Sequence, residues 1–221
     1  MVYLPPAFTE TREDALIAHI ERYDFGMLVT RGAEAPIVSQ IPFLLERRDG
    51  RLFLQCHLAR PNPQVADFDG EAEALVMFAG PHAYISPSWY ETGPAVPTWN
   101  YASVHAYGPA QRIDDPEWLR GLVRRLSERH EAREPTPWRM EDLPEPYVQA
   151  MLTGIIGVEL AVARGCDRPR LCCLDRGGRK RQCGCHQGRR PLRRRVRQDA
   201  GWLANCHAHV RTVKTWAARH L

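Results

Sequence analysis

The stretch that decides the fold is residues 74–113, ALVMFAGPHAYISPSWYETGPAVPTWNYASVHAYGPAQRI. It opens with the apolar run Ala74–Ala79, which is too short and too close to a Gly-Pro pair for a typical helix. We interpret this run as a buried strand. Two further strands, Ala83–Ser86 and Ser103–Ile113, are predicted on either side of a loop rich in proline and aromatic residues.

The sequence on either side of this stretch predicts more short strands and a few helices. Asp49-Gly50 is typical of a tight turn between two strands. A helix is predicted to start at Pro116, with its apolar face at 118–126. We therefore predict a mainly β fold, a β-barrel with peripheral helices. The other predicted strands are Gly26–Thr30, Pro36–Leu45, Arg51–His57 and Gly154–Val162, and the other predicted helical segments are 12–22, Gln64–Phe68 and Pro146–Leu152.

Charge divides the chain into two parts of different composition. Residues 1–163 carry 14 Lys and Arg against 23 Asp and Glu, whereas residues 164–221 carry 16 against 3. Six of the seven cysteines also lie in the second part, and the first part has only Cys56. We therefore predict one domain at 1–163 and a basic, Cys-rich tail at 164–221. The single cysteine of the first part, and a chain without an apolar run of membrane-spanning length, favour the cytoplasm and no membrane contact.

A polar turn after the strand Arg51–His57 is the first candidate site. The segment QCHLARPNP at 55–63 places His57, Arg60 and Asn62 where a strand ends and a helical segment begins. Backbone N–H groups at such a point attract anions, and an arginine can add two hydrogen bonds to a phosphate. The turn therefore fits a phosphate group. The same residues also fit a solvated turn in which Asn62 caps the helical segment.

Aromatic and hydroxyl residues are concentrated at 80–90, 96–101 and 104–108. They suit a planar heteroaromatic ligand, because rings give contact area while hydroxyls and amides fix the edge of the ligand. An aromatic core beneath a proline-stiffened loop would explain the same composition. His82 and His105 are interpreted as structural residues. The sequence shows no Ser–His–Asp set, glycine-rich phosphate loop or paired carboxylates, so we predict no catalytic residue and no metal ligand in the first part.

Four motifs within residues 1–160 resemble the PaiB family of FMN-binding negative transcriptional regulators. They are YLPPAF at 3–8, HLARPNP at 57–63, GPHAYISPSWY at 80–90 and VPTWNY at 96–101. The resemblance implies a split β-barrel related to pyridoxamine-phosphate oxidase-like flavoproteins. It also implies that FMN binds near the interface of a homodimer, and that the protein has a role in the negative control of protease synthesis and sporulation.

Taken position by position, the resemblance implies two groups of FMN-binding residues. The predicted phosphate ligands are His57, Arg60 and Asn62, and the predicted contacts of the ring and ribityl chain are Ser86, Trp89, Tyr90, Thr98, Trp99 and Asn100. Because the flavin itself carries redox chemistry, an FMN-dependent oxidoreductase of the same superfamily is an alternative function. A flavin or haem carrier or sensor is another. Residues 1–163 contain no helix-turn-helix pattern for direct DNA binding.

The tail at 164–221 departs from the family, in which the last strand is followed by a motif resembling Lys-x-Ser-Gln-Asn and a closing helix. Its cysteines and histidines could bind zinc, but they lack paired C-x-x-C spacing. The arginine-rich run at 189–197 could contact the phosphates of DNA without sequence preference. A third interpretation is a frameshift near residue 164. Permissible codons for residues 180–190, read one base later, give SANAGVIKAV, which resembles the closing helix of the family.

Overall fold

The structure, a computed structural model, describes residues 8–89, 95–163 and 171–175. The chain divides into two units after Gln182, and every described residue belongs to the first unit. Tyr90, residues 3–7 of the first motif and most of the tail lie outside the described residues. The three interpretations of the tail therefore stay predictions.

Antiparallel strands dominate the described part of the chain, as the sequence predicts. The strands are β1 (Thr9–Glu10), β2 (Phe25–Thr30), β3 (Ile37–Pro42), β4 (Leu44–Arg48), β5 (Arg51–Ala59), β6 (Asp69–Ile85), β7 (Thr98–Ile113), β8 (Ile155–Ala161) and β9 (Leu171–Asp175). The α-helices are α1 (Glu13–Arg22), α2 (Pro116–Glu131) and α3 (Glu145–Thr153), and 3-10 helices span Pro63–Asp67, Pro87–Trp89 and Met140–Asp142. The backbone of β9, which comes from the predicted tail, pairs with β1 and β7.

The main path of the sheet curls into a barrel. Its strand order is β3-β2-β6-β7-β8-β5-β4, and its two end strands are joined by a single residue, Phe43. Because one residue cannot cross an open sheet, the sheet must curl until β3 and β4 meet. Phe43 is buried, and its N–H donates to the carbonyl of Asp24. The predicted barrel is therefore confirmed, and the predicted strand Pro36–Leu45 is corrected to two strands that meet at Phe43.

The barrel core forms on one face of the sheet because buried and half-exposed residues alternate along each strand. On β7, Val104, Ala106 and Ala110 are buried, whereas the alternating residues His105, Tyr107 and Pro109 are only partly covered. Removing a Val, Leu or Phe side chain from water contributes roughly 1.5–3 kcal/mol to stability. Other fully buried members of this core are Leu28, Leu54, Val76, Phe78 and Ile156.

The hairpin of β6 and β7 is longer than the sequence predicts. The predicted strands at 74–79 and 83–86 belong to one strand, and β7 begins at Thr98, five residues earlier than expected. The pairing register shifts at Gly80-Pro81, which form an irregularity within β6. A Cβ on this glycine would lie 2.4 Å from Cε1 of His19, so the glycine allows α1 to pack against the strand. The Gly-Pro pair thus marks a bulge and not the end of a strand.

The predicted helix at Pro116 is confirmed, and it covers part of the outer face of the barrel. Asp115 caps it, because its carboxylate accepts hydrogen bonds from the backbone N–H groups of Glu117 and Trp118. A Cβ on Gly157 would lie 2.2 Å from the Trp118 ring, so this glycine permits the close approach of α2 to β8. Within residues 8–89 and 95–163, no helix is long and apolar enough to cross a membrane.

Candidate functional site

The turn after β5 is held by hydrogen bonds within the protein. Asn62 precedes the 3-10 helix Pro63–Asp67, and its Oδ1 accepts a hydrogen bond from the backbone N–H of Gln64 at 2.9 Å. Its Nδ2 donates to Oγ of Ser39 at 3.2 Å. The interpretation of Asn62 as a helix cap is therefore confirmed.

Gln64, which the sequence analysis does not single out, anchors this turn to the barrel. Its side chain is 0% exposed. Its Nε2 lies 3.1 Å from the carbonyl of Leu28, 3.1 Å from Oγ1 of Thr30 and 3.2 Å from the carbonyl of Ile37. The Thr30 hydroxyl in turn donates to Oδ2 of Asp67 at 2.5 Å. The turn is thus tied to β2 and β3 through Nε2 of a buried amide, whereas Oε1 of the same amide is buried with no hydrogen-bond partner among the described residues.

The Arg60 guanidinium also has partners inside the protein. Its Nε donates to the carbonyl of Thr153 at 2.9 Å, and its Nη2 donates to the carbonyl of Ile155 at 3.0 Å. Its Nη1 donates to Oδ1 of Asp114 at 2.8 Å. Arg60 therefore fastens the end of β5 to the junction of α3 and β8. Its predicted contact with a phosphate stays a prediction, and that contact would compete with these three bonds.

Arg112 joins this cluster, although the sequence gives no sign of its partner. Its Nε and Nη2 donate to the two carboxylate oxygens of Asp114 at 2.6 and 2.8 Å. Hydrogen bonds from Arg112 and then from Arg60 lower the pKa of Asp114 to about 2, because they favour the charged carboxylate. Two guanidinium groups around one carboxylate give this cluster of three side chains a net positive charge.

His57 projects from the outer face of the barrel, on the side that α2 covers. It lies directly opposite Gly157, the residue over which the Trp118 ring packs. Opposed residues in antiparallel strands project to the same face of the sheet. Burial lowers the pKa of His57, and its Nδ1 is buried with no hydrogen-bond partner among the described residues. An imidazole with one unpaired nitrogen therefore lies behind the turn.

The far end of the β6–β7 hairpin presents aromatic rings to solvent. We call its paired segments, His82–Ile85 and Thr98–Tyr101, the ribbon. Tyr84 pairs with Trp99, and His82 pairs with Tyr101, so all four side chains share one face. Tyr84, Trp99 and Tyr101 are 45%, 57% and 46% exposed. The Trp99 ring lies 6.0 Å from that of Tyr84 and 5.8 Å from that of His82, so the rings form one continuous patch.

The remaining predicted ring contacts lie beside this patch. Thr98 and Asn100 are on the opposite face of the ribbon, since they alternate with Trp99. Asn100 Oδ1 is buried and has no hydrogen-bond partner among the described residues. Ser86 follows the ribbon directly, its Oγ lies 2.8 Å from Oγ of Ser88, and Trp89 is 52% exposed.

The two groups of predicted FMN-binding residues lie at opposite ends of β7 within one chain. Trp99 is near its start, while His57 is in register with Gly157, which pairs with Ile113 at its end. Ile113 is fourteen residues after Trp99, which corresponds to a contour of about 46 Å at about 3.3 Å per residue. The structure therefore brings Ser86, Trp89, Thr98, Trp99 and Asn100 together, and separately His57, Arg60 and Asn62.

The ribbon has the properties that a flavin requires. Exposed indole and phenol rings can stack on a planar ligand. The unpaired Oδ1 of Asn100 is buried on the other face of the ribbon, so it is not part of this stacking surface. Among the described residues, no group of three or more His, Cys, Asp or Glu side chains is placed to hold a metal ion.

A curled antiparallel barrel with peripheral helices and an exposed aromatic ribbon defines a flavin-binding split barrel. The chain belongs to the family described as "Putative FMN-binding domain", whose model matches residues 2–164. FMN is therefore the cofactor of this chain, and the resemblance drawn from the sequence motifs is confirmed.

Two relatives of the chain come from a bacterium and a fungus. The chain is 34% identical over 161 residues to "Protease synthase and sporulation protein PAI 2" of Bacillus subtilis, covering 73% of this chain and 77% of that protein. It is 30% identical over 203 residues to the uncharacterized protein AN0679 of Emericella nidulans, covering 74% of this chain and 81% of that protein.

Solved structures share the fold at low sequence identity. The flavocytochrome Anf3 from Azotobacter vinelandii superposes with a TM-score of 0.55 at 12% identity, covering 80% of this chain and 73% of that chain. The FAD and haem binding protein from Mycobacterium smegmatis gives a TM-score of 0.52 at 16% identity, covering 77% and 74%. Both similarities concern the fold alone.

Proposed function

We propose that this chain is an FMN-binding negative transcriptional regulator of the PaiB type, which acts in the cytoplasm as a homodimer and has no catalytic activity of its own. The exposed aromatic face of the ribbon carries the proposal, because it offers a stacking surface that the described part of the chain does not cover. The regulatory role is supported by the 34% identity to the Bacillus subtilis protein named for protease synthesis and sporulation.

The homodimer is proposed because one chain separates the two predicted parts of the FMN site. If a second copy is related by a two-fold axis, the ribbon of one chain can approach the turn after β5 of its partner. Each of two equivalent sites would then take rings such as Trp99 from one chain and Arg60 from the other. The ribbon contains no Lys or Arg, so its exposed rings suit an apolar partner surface better than a nucleic acid.

An FMN titration of the full chain tests the binding proposal. We expect Trp99→Ala to weaken FMN binding about tenfold, since ring stacking is worth about 0.5–1.5 kcal/mol beyond the area that it buries. Trp138→Ala is the matched control, because Trp138 is also exposed, at 43%, but lies between α2 and α3 in the chain. Equal FMN affinities of the two variants would contradict a role of the ribbon in binding.

Subunit mixing tests the shared site. Trp99→Ala and Arg60→Ala homodimers should each bind FMN weakly. In a heterodimer of the two variants, one site carries both substitutions and the other carries neither. After random exchange, about a quarter of all sites should therefore regain wild-type affinity, because half of the dimers are mixed and each has one intact site. No recovery in a sample that sedimentation shows to be dimeric would mean that the two groups do not form one site.

Oxidation of NADH and NADPH separates the regulator from the oxidoreductase alternative. Bound flavin supplies redox chemistry in either case, whereas the protein controls access to it. A regulator without catalysis should not oxidise either nucleotide faster than the same concentration of FMN in solution. Faster turnover by the FMN-loaded chain would favour the oxidoreductase.

A further inference from the structure

A row of soft donor side chains crosses the sheet. Met27 on β2 lies opposite Met77 on β6, and Met77 lies opposite His105 on β7. Residues opposed in antiparallel strands project to the same face of a sheet. The three side chains are therefore neighbours in one line across three adjacent strands.

This face is the outer face of the barrel. Met27, Met77 and His105 are all half-buried. Their neighbours along the strands project to the other face and are fully buried in the barrel core: Leu28, Val76, Phe78, Val104 and Ala106. The row thus lies outside the core, and its side chains do not contribute to the main core cluster.

The spacing of the strands allows the three donors to converge. Adjacent strands lie about 4.8 Å apart, and Met77 is in the middle of the row. Methionine is unbranched and has three rotatable side-chain bonds, so each thioether can turn towards its neighbour. Two sulfur atoms and one imidazole nitrogen can therefore meet at a point above Met77.

His105 provides the observation that indicates a ligand. Its Nδ1 is buried and has no hydrogen-bond partner among the described residues. Buried polar atoms in proteins are nearly always paired, so an unpaired imidazole nitrogen needs an explanation. An imidazole nitrogen next to two thioethers is a donor set for a soft metal ion.

We propose that Met27, Met77 and His105 bind a soft monovalent cation of the Cu(I) class on the outer face of β2, β6 and β7. Thioether and imidazole donors select Cu(I), whereas Mg²⁺ and Ca²⁺ require the oxygen donors that this row lacks. On the other side of β7, the backbone of His105 pairs with that of Cys172 on β9. The proposed site of three donors does not include Cys172. The proposal is independent of FMN binding.

Silver(I), a closed-shell analogue of Cu(I), is the probe for the test. The full chain is labelled with ¹³C at the methionine methyl groups, and its accessible cysteines are alkylated so that the tail cannot capture silver. The chain has five methionines, Met1, Met27, Met77, Met140 and Met151, so Met→Leu variants can assign every signal. Silver nitrate is then added in a chloride-free buffer. We expect the Met27 and Met77 signals to shift together and saturate at one equivalent.

Two other methionines are internal controls. Met140 is buried among Leu119, Val148 and Leu152 and reports that the protein stays folded, and Met151 is 54% exposed and reports non-specific binding of silver to a thioether. Neither signal should shift at one equivalent. Shifts of Met151 at the same concentration as Met27 and Met77 would overturn the proposal.

Substitution of the histidine distinguishes a shared site from two separate thioethers. His105→Gln should weaken the response of both methionines to silver at least about tenfold, because the substitution removes one of the three proposed ligands of the metal ion. His130→Gln, an exposed position near the end of α2, is the control and should leave the response unchanged. An unchanged response in His105→Gln would mean that no site with three ligands exists.

Discussion

The turn after β5 and the ribbon of β6 and β7 hold their side chains in opposite ways. In the turn, the N–H groups of Arg60, Asn62 and Gln64 donate to carbonyl, carboxylate and hydroxyl partners within the chain. In the ribbon, Tyr84 and Trp99 leave about half of their surface to solvent. The first region stabilises the barrel, whereas the second has a surface that gains most from a ligand or a second subunit.

This difference teaches which kind of sequence motif indicates function. A cluster of polar residues at a turn satisfies its own hydrogen bonds in most folded proteins, because unpaired polar groups are costly to bury. A concentration of exposed aromatic residues has no such internal explanation and is a stronger sign of a binding surface. Substitutions in the turn should therefore act on stability first, and substitutions in the ribbon on binding first.

Gln64→Leu should produce the largest loss of stability. Leucine keeps the volume but leaves the buried carbonyls of Leu28 and Ile37 without the amide donor. We expect the free energy of unfolding to fall by about 2–4 kcal/mol, because each buried polar group left without a hydrogen-bond partner costs about 1–3 kcal/mol. Urea denaturation of the chain without FMN measures this loss of stability. Gln149→Leu, on the exposed face of α3, is the control, and a loss no larger than that of the control would contradict the anchoring role of Gln64.

Much of the fold could be predicted from the sequence, because its strands are short apolar runs with clear turn residues between them. Asp49-Gly50 illustrates this: both residues have positive φ, as a tight hairpin turn requires. The bend at Phe43 could not be predicted, since the run at 36–45 has no glycine and its one internal proline, Pro42, ends β3 one residue before the bend. The length of β6 was also missed, because Gly80-Pro81 has the composition of a loop and forms a bulge.

The site was less predictable than the fold for a related reason. The sequence marks Arg60 as a cation beside a turn, but its partner Asp114 is 54 residues away, and its other partners are backbone carbonyls. Local pattern carries no information about such contacts. The ribbon was easier to find because Trp99 and its neighbours are conspicuous by residue type, although their position in strands was not foreseen.

Asp114→Asn should produce a smaller loss that depends on pH. The folded-state pKa of Asp114, about 2, lies below its ordinary value of 3.8, so the carboxylate stabilises the fold above about pH 4 and loses this effect as the pH falls towards 2. We expect the variant to be less stable than the wild type by at most about 1 kcal/mol at pH 6, since the ion pairs are exposed. The difference should shrink as the pH falls from 4 through 2 in urea denaturation, because the carboxylate is half protonated in the folded state at about pH 2.

Asp142→Asn is the matched control for this pH dependence, because it removes an exposed carboxylate outside the Arg60–Arg112 cluster. A stability difference between wild type and Asp114→Asn that stays constant from pH 6 to pH 2 would show that the charge of Asp114 is not responsible. Arg60 would then be held at the turn by the carbonyls of Thr153 and Ile155 alone.

Trp99→Ala should have the smallest effect on the chain without FMN, which makes it the sharpest test of the comparison. The indole is 57% exposed, and its ring neighbours Tyr84 and His82 lie on the same open face, so its removal leaves no cavity in the core. We expect the free energy of unfolding to change by no more than about 0.5 kcal/mol. Addition of FMN should stabilise the wild type more than the variant, because a ligand that binds only the folded state raises the free energy of unfolding by RT ln(1 + c/Kd), where c is the concentration of free FMN, and this increase is larger for the tighter binder. If Trp99→Ala instead destabilises the FMN-free chain as strongly as Gln64→Leu does, the ribbon is part of the structural framework and the contrast between the two regions fails.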